Sequence, residues 1–215
     1  MKHKKGSGLI FLGLAMIVAA LCLTFWNMLD ENRAHSSTDE IMAQLREQVP
    51  DYHSAAPSLP AQMQDSDSAA VPLPGEVEIP NYRLDPHREM PVEIVNGKPY
   101  IGVLTVPALG LELPVIQQWS YPNLRVAPCR YTGSLAGGDM VIMGHNYRSH
   151  FTPLHRVLPG AAVEFEDVNG VVHHYTVDRI DYIHKSEAEL LPSEHPLILF
   201  TCTAGGQNRI VIRCS

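Results

Sequence analysis

The chain has no basic stripe and no cysteine motif, and each absence narrows what it can do. Its 16 lysines and arginines are outnumbered by 23 aspartates and glutamates, for a net charge of −7. Nucleic acid is held by clustered positive charge, so no nucleic-acid partner is expected. Cysteine is scarce: Cys22, Cys129, Cys202 and Cys214 are the whole supply. None stands in a CxxC pair or at a Cys/His ligand spacing, which leaves a zinc site without support. No metal and no cofactor is expected. No segment repeats, and beyond residue 100 there is no long run of helical periodicity.

Proline is the residue in surplus, 17 in 215, clustered between residues 50 and 96. That clustering marks a linker rather than a second core. The length suffices for one ordinary domain plus something else.

The something else begins at the N-terminus. Residues 1–8 form a basic tail with Lys2, Lys4 and Lys5, and residues 9–29 carry no charge. About 20 apolar residues span a bilayer as a helix. Trp26 suits an interfacial anchor, and Asp30 and Glu31 follow on the far side. Positive charge before the span predicts the N-terminus inside and the rest of the chain outside. A cleaved signal peptide is the competing reading, with Val18-Ala19-Ala20 as its small residues. The apolar run continues well past them, which favours an uncleaved single-pass anchor. A lipoprotein site at Cys22 would want a small residue where Leu21 stands.

Residues 30–97 read as a helical and Pro-rich stalk. Ser37 and Glu40 fit a capping box, predicting a short helix over residues 36–49. Ile41, Met42, Leu45 and Val49 form its apolar stripe, and Pro50 stops it. Residues 51–80 are rich in Ala, Ser, Pro and Asp without periodicity, the composition of a flexible stalk.

The catalytic-domain candidate is residues 98–215. Strand-like runs cover residues 101–106, 111–117 and 140–143. Residues 162–166 and 171–183 flank Asn169-Gly170, a strong hairpin signal. Two more runs, 197–200 and 210–212, flank a turn with Gly205-Gly206. One helical turn fits near residues 151–158. Seven or eight short strands without a long helix predict an all-β fold, a small barrel or sandwich.

The last hairpin concentrates the chemistry. If Cys202 and Arg209 close its turn, their Cβ atoms lie roughly 5 Å apart across the strands. A thiol beside a cation is how proteins make reactive thiolates. In this register Cys214 stands opposite Leu197, about 16 Å along the strand from Cys202. A disulfide needs Cα atoms within about 7 Å, so Cys202 cannot pair with Cys214. Cys129 and Cys214 read as core thiols, with a disulfide between them as the other option. Cys202 could itself be a buried structural thiol, but its strand-end position beside a tight turn favours function.

A cysteine nucleophile wants a histidine, and the chain has eleven. His145 stands out because it follows an apolar strand and Gly144, the same strand-end position as Cys202. Its bland reading is a loop residue bonded to backbone. His150 and His155 lie farther into the loop, and His173 and His174 read as strand residues. Arg209 and Arg213 share a strand face, but only Arg209 is near the turn. Arginine cannot serve as a base; it can hold an oxyanion. Arg213 reads as a surface salt bridge.

Gly144-His145-Asn146, then Leu199-Phe200-Thr201-Cys202, then Arg209-Ile210-Val211-Ile212, behind an N-terminal anchor, resemble the sortase family of cysteine transpeptidases. The likeness covers roughly residues 98–215. It implies an eight-stranded β-barrel with short helical turns and with Cys202, His145 and Arg209 around one groove. It implies an extracytoplasmic enzyme of the Gram-positive surface, held by the membrane, that acts on surface proteins with a C-terminal sorting motif of the Leu-Pro-x-Thr-Gly type. Cys202 would attack the carbonyl of the fourth motif residue, His145 would handle the leaving and incoming amine protons, and Arg209 would stabilise the oxyanion. Thr201 and Asn146 would contact substrate. The acceptor would be an amine of a peptidoglycan precursor or a pilin lysine.

Among the classes of the family, Gly-His-Asn is similar to class B. The stretch between residue 183 and Pro196 is too short for the long class B helix. Residues 84–87 are faintly similar to a class C lid. Glu187, Glu189 and Glu194 sit where class A members bind calcium, but read here as solvated charges. The resemblance is nearest to a class B-like or class D-like member. A cysteine hydrolase on the same fold, and a non-catalytic stalked β-domain that binds peptide or wall, are the two other functional readings.

Overall fold

The computed structural model describes residues 4–48, 90–191 and 195–215. The runs rich in β-branched and aliphatic residues form nine strands: β1 Glu93–Val95, β2 Lys98–Val106, β3 Leu111–Ile116, β4 Cys129–Thr132, β5 Met140–Met143, β6 Ala162–Asp167, β7 Val172–His184, β8 Leu197–Cys202 and β9 Asn208–Cys214. They hydrogen-bond in the order β1-β2-β3-β4-β5-β8-β9-β7-β6, and β2 also pairs with β6. That last pairing closes β2 to β9 into an eight-stranded barrel, with β1 as an added edge on β2. The β3–β4 and β5–β8 pairs are parallel, and the others antiparallel.

The seam between β2 and β6 is closed at Gly102, opposite Asp167. A Cβ there would lie 2.1 Å from the Glu166 carbonyl oxygen, and Gly102 has φ 152°. Only glycine lets the two backbones meet so closely. The β6–β7 turn carries Asn169-Gly170 as the sequence predicts. The buried Asp167 carboxylate accepts from the Asn169 and Val171 backbone N–H groups at 2.8 and 3.2 Å, which fixes the turn.

Side-chain alternation sorts the barrel into two apolar layers. Met140, Ile142, Leu197, Leu199, Ile210, Ile212 and Cys214 point into the barrel, with Phe165 and Phe151 among them. Val141, Ile198, Phe200 and Val211 form a second cluster on the outer face of the same strands. This explains why residues 197–200 are apolar without a break: β8 is buried on both sides. The β8–β9 register is the one read from the sequence, with Leu197 opposite Cys214 and Cys202 opposite Arg209. Cys129 and Cys214 are buried free thiols, with no disulfide between them.

Helix α1 (Lys4–Gln48) departs from expectation. The short helix predicted over residues 36–49 is the last part of one 45-residue helix. Ser37 and Glu40 thus lie inside a helix and do not start one. The stripe itself is real: Ile41, Met42 and Leu45 are buried against Val95, Tyr100, Val103, Ile116 and Cys129 of the barrel. An exposed ion pair from Arg46 to Glu112 at 2.5 Å flanks the contact. Val49, the stalk over residues 51–80 and the lid-like residues 84–87 lie outside the described residues. The uncharged run of residues 9–29 falls in α1, with Ile10, Phe11, Leu23 and Trp26 exposed. Among the described residues alone, no helix is long and apolar enough to cross a membrane.

The sequence also misses several small elements, among them β1, β4, and the one-turn helix α2 (Tyr121–Leu124), capped by the Ser120 hydroxyl accepting from the Asn123 N–H at 3.2 Å. The helical turn expected near residues 151–158 is a 3-10 turn, Thr152–Arg156.

Docking of α1 makes a testable demand. Leu45 has no exposed surface, so Leu45→Ala should lower the unfolding free energy by about 2–4 kcal/mol. Glu47→Ala, on the exposed side, should stay within ~0.5 kcal/mol. Equal urea midpoints for the two variants would refute the docked helix.

Candidate active site

Three adjacent strands, β5, β8 and β9, end at one level. Parallel pairing sets Met143 of β5 beside Phe200 of β8. The Gly144 N–H donates to the Phe200 carbonyl at 3.1 Å and carries the ladder one step past the strand. Two residues on from that pair, His145 comes level with Cys202. On the other side Cys202 is paired with Arg209. Side chains alternate with period two, so Phe200 and Cys202 share the outer face of β8, as Val211 and Arg209 share that of β9. His145, Cys202 and Arg209 all line one cavity of about 340 Å³.

The cavity has an apolar floor and a cationic end. Met143 and Phe200 lie beneath it, and Trp119, Tyr121 and Tyr131 wall it. The aromatic rings contact one another in series. Trp119 stands 5.9 Å from Tyr121 and 5.8 Å from Tyr131, and Tyr131 meets Phe200 edge-on at 5.3 Å. Lys185 joins His145 and Arg209 in the lining, and among the described residues no carboxylate does. A larger cavity of about 420 Å³ lies beside α1, between Asp39 and the Arg148 and Arg156 side chains. It contains none of the three strand-end residues, so size alone does not mark the site.

Each member of the trio has a local reason for its position. The β8–β9 turn is tied by the Thr203 N–H donating to the Asn208 carbonyl at 3.0 Å. Arg209 Nη1 donates to the carbonyls of Gly206 and Asn208 at 3.0 and 3.1 Å. One nitrogen therefore braces the turn. Among the described residues no carboxylate pairs with the rest of the guanidinium. The loop after β5 is folded back on itself, its Phe151 N–H donating to the His145 carbonyl at 3.1 Å. Phe151 packs flat on Gly144, where a Cβ would sit 2.3 Å from the ring. The glycine before His145 is needed for that contact rather than for an unusual φ. The His145 ring lies on Tyr147, centroids 3.8 Å apart and planes 17° from parallel.

Cys202 is half-buried, whereas Cys129 and Cys214 are fully buried. Burial disfavours the thiolate and pushes both core thiols up to about 12. They are inert at neutral pH, and Cys202 is the barrel thiol open to reaction.

The remaining expected residues divide. Asn146 lines the cavity. Thr201 does not: it is buried opposite Ile210 on the inner face, and its hydroxyl makes no hydrogen bond. His150 is fully buried behind the loop. His155 meets the Thr152 carbonyl at 2.5 Å on the 3-10 turn. His173 and His174 face Asp167 and Glu164, each at 3.3 Å. Arg213 is in a salt bridge as expected, to Asp181 at 2.7 Å, but the pair is largely buried on the arginine side. Glu187 caps the 3-10 turn that follows β7, accepting from the His184 N–H at 3.1 Å. Among the described residues no cluster of His, Cys, Asp and Glu could hold a metal ion. Sequence reasoning missed Trp119, Tyr121, Tyr131, Tyr147 and Lys185. The available signal was the aromatic density of residues 119–131, in a segment otherwise without pattern.

Two measurements check this geometry. Iodoacetamide on native residues 30–215 should modify Cys202 and spare Cys129 and Cys214 until denaturant is added, read by peptide mass mapping. Labelling of the two core thiols at the same rate would contradict their burial. Gly144→Ala should destabilise the chain by about 1–3 kcal/mol through overpacking on Phe151. An unchanged thermal midpoint would refute that contact.

The family model described as a sortase domain matches residues 104–215. Among solved structures, sortase A from Corynebacterium diphtheriae is similar at 23% identity and a TM-score of 0.50. That match covers 54% of this chain and 60% of that one, less than two thirds of its length. Sortase C1 of Streptococcus agalactiae, solved in complex with MTSET, is similar at 24% identity and a TM-score of 0.50. It covers 57% of this chain and 68% of the other. At such identities these likenesses speak for the fold alone and do not sort the chain among sortase classes. No curated protein matches the chain. The closed eight-stranded barrel and the match over more than half of the sequence lead to one conclusion: the chain belongs to the sortase family.

Proposed function

We propose that this protein is a membrane-anchored, extracytoplasmic cysteine transpeptidase that cleaves surface proteins at a C-terminal sorting motif and joins them to an amine. The observation that carries the reading is the common level of His145, Cys202 and Arg209 on three neighbouring strand ends over one groove.

The chemistry follows from their positions. A peptide lies in the groove with its apolar residues against Met143, Phe200 and the aromatic wall. The Cys202 thiolate attacks the carbonyl carbon of the fourth motif residue, forming a C–S bond and an oxyanion. Arg209 offers the N–H groups not used by the turn to that oxygen, in a site where fixed donors act more strongly than in water. Collapse breaks the C–N bond, and the imidazolium of His145 gives its proton to the departing amine. The thioester is then attacked by an acceptor amine, whose proton returns to His145, and Cys202 leaves as the thiolate. The acceptor is an amine of a peptidoglycan precursor or a pilin lysine. Thr201, on the inner face, shapes β8 from behind, whereas Asn146 is at hand for the peptide backbone.

The anchor belongs to the same reading. Residues 9–29 cross the bilayer of a Gram-positive cell with the basic tail inside, and α1 continues outward to the barrel. The supports are the charge asymmetry of the sequence and the exposed apolar side chains along that part of α1.

The test uses residues 30–215, because Ile41, Met42 and Leu45 belong to the packed unit. Peptides of the Leu-Pro-x-Thr-Gly type are supplied with and without an added amine. The expected products are cleavage after the fourth residue and ligation of the first fragment to the amine. Cys202→Ala should give neither, and Arg209→Ala should lower kcat/KM by about 10²–10³-fold. Hydrolysis without ligation would leave a peptidase instead. No processing of any peptide would sink the enzyme reading.

A further inference from the structure

The aromatic wall of the groove reaches past the motif that the groove is proposed to hold. Ring-to-ring steps of 5.3, 5.8 and 5.9 Å lead from Phe200 to Tyr131, on to Trp119 and out to Tyr121. An extended peptide rises about 3.3 Å per residue, so each step is nearly two residues. Phe200 is itself one side-chain repeat back from Cys202 on β8. For a peptide that follows the rings, the four motif residues before the scissile bond cover about 13 Å, from Cys202 to the neighbourhood of Tyr131. Trp119 and Tyr121 stand farther out, where the motif has ended.

These two rings are held out to solvent on a braced scaffold. Tyr121 is 78% exposed and Trp119 37%. Apolar side chains grouped at the mouth of a cleft mark a contact surface. The Trp119 N–H donates to the Arg130 carbonyl at 3.1 Å, and Arg130 Nε donates back to the Gln117 carbonyl at 2.9 Å. On the other side Asn123 of α2 donates to the Gln118 carbonyl at 3.0 Å and accepts from Lys98 at 2.6 Å. Rings fixed in this way lose little freedom when a partner arrives. Their occupant follows from continuity. Arg209 and Lys185 stand on the far side of Cys202, where the Lys185 N–H donates to the Gln207 carbonyl of the β8–β9 turn at 2.9 Å. The apolar floor of Met143 and Phe200 runs the other way, through Tyr131 to Trp119. A chain that already lies on that floor meets Trp119 next.

We propose that Trp119 and Tyr121 form an upstream subsite that holds the substrate residues preceding the sorting motif. Alternate side chains of an extended peptide face one side, so the ring spacing selects roughly the second and fourth residues before the motif. Proline suits both places, because its chain is already extended and aromatic-lined grooves take it at little entropic cost. The inference deepens the transpeptidase reading and rests on it for the direction of the peptide. The two rings set specificity and take no part in bond making.

The test uses the full chain in detergent micelles with Trp26→Phe, which leaves Trp119 as its single tryptophan. Three peptides share one motif of the Leu-Pro-x-Thr-Gly type. One begins at the motif, one carries a preceding segment with proline at the two selected positions, and one carries a Gly/Ser segment of the same length. In Cys202→Ala, which cannot turn over, Trp119 emission should report the proline peptide binding about tenfold tighter than the Gly/Ser peptide. In the active chain kcat/KM should favour the proline peptide by about the same factor. Trp119→Ala should abolish that preference and Tyr121→Ala should reduce it. The second, at a mostly exposed position, decides the matter if the first does not fold. Equal affinity for all three peptides, or binding of none, would overturn the proposal, and so would a preference that survives both substitutions. A loss confined to KM for the acceptor amine would give the wall to the acceptor instead. Tighter binding of the bare motif after Tyr121→Ala would mean that another part of this chain covers the rings, and would equally sink the subsite. The expected binding preference without turnover of any peptide would remove the transpeptidase reading and leave the subsite standing.

Discussion

Strand β8 is held by a parallel neighbour on one side and an antiparallel neighbour on the other, and those two ladders fix where the three proposed catalytic groups stand. The pairing with β5 sets the height of His145, and the pairing with β9 sets that of Arg209. Because side chains alternate, a slip of one residue would send Cys202 into the barrel and bring Thr201 out. The slip is opposed by the two apolar clusters, since Leu197 and Leu199 fit only the inner layer and Phe200 packs only in the outer one. The placement of one sulfur is thus secured by the burial of several hydrocarbons. Each such side chain is worth roughly 1.5–3 kcal/mol when buried.

The electrostatics of the site run against those of the chain. A protein of net charge −7 presents lysine, arginine and histidine around its half-buried barrel thiol, and among the described residues no acid lines that groove. Acidic residues are not lacking on β6 and β7, but they are committed elsewhere. Glu164 faces His174, Asp167 ties the β6–β7 turn, and Asp181 takes Arg213. Such local segregation favours a developing oxyanion in the groove.

The C-terminal hairpin was legible in the sequence because its signals agree. Two apolar runs, a glycine turn and a fixed count of residues leave one register, and that register is the observed one. His145 was legible for a related reason, since Gly144 and an apolar strand precede it. What stayed hidden lacks periodicity. β4 joins β3 through a single bridge, Ile116 to Cys129, and has an irregular register against β5, so four residues carry no pattern. The aromatic wall comes from a loop, from α2 and from that same short strand, brought together only by closure of the barrel. The Ser37–Glu40 pair misled because capping chemistry is local, while helix continuity through it depends on docking to a barrel over fifty residues away in sequence. Thr201 illustrates the opposite limit: its place in the motif suggested contact with substrate, whereas alternation turns it inward.

Helix α1 runs unbroken from Lys4 to Gln48 and grips the barrel through Ile41, Met42 and Leu45. At 1.5 Å per residue, Ile41 stands about 18 Å along the axis from Leu29. With residues 9–29 in the bilayer as proposed, the barrel is mounted on a short rigid mast. The reach of the groove is then set by α1, because the helix itself touches the barrel. The catalytic surface works at one altitude above the lipid, and a substrate must bring its motif to that altitude, leaving the two partners to meet in a thin layer rather than throughout a volume.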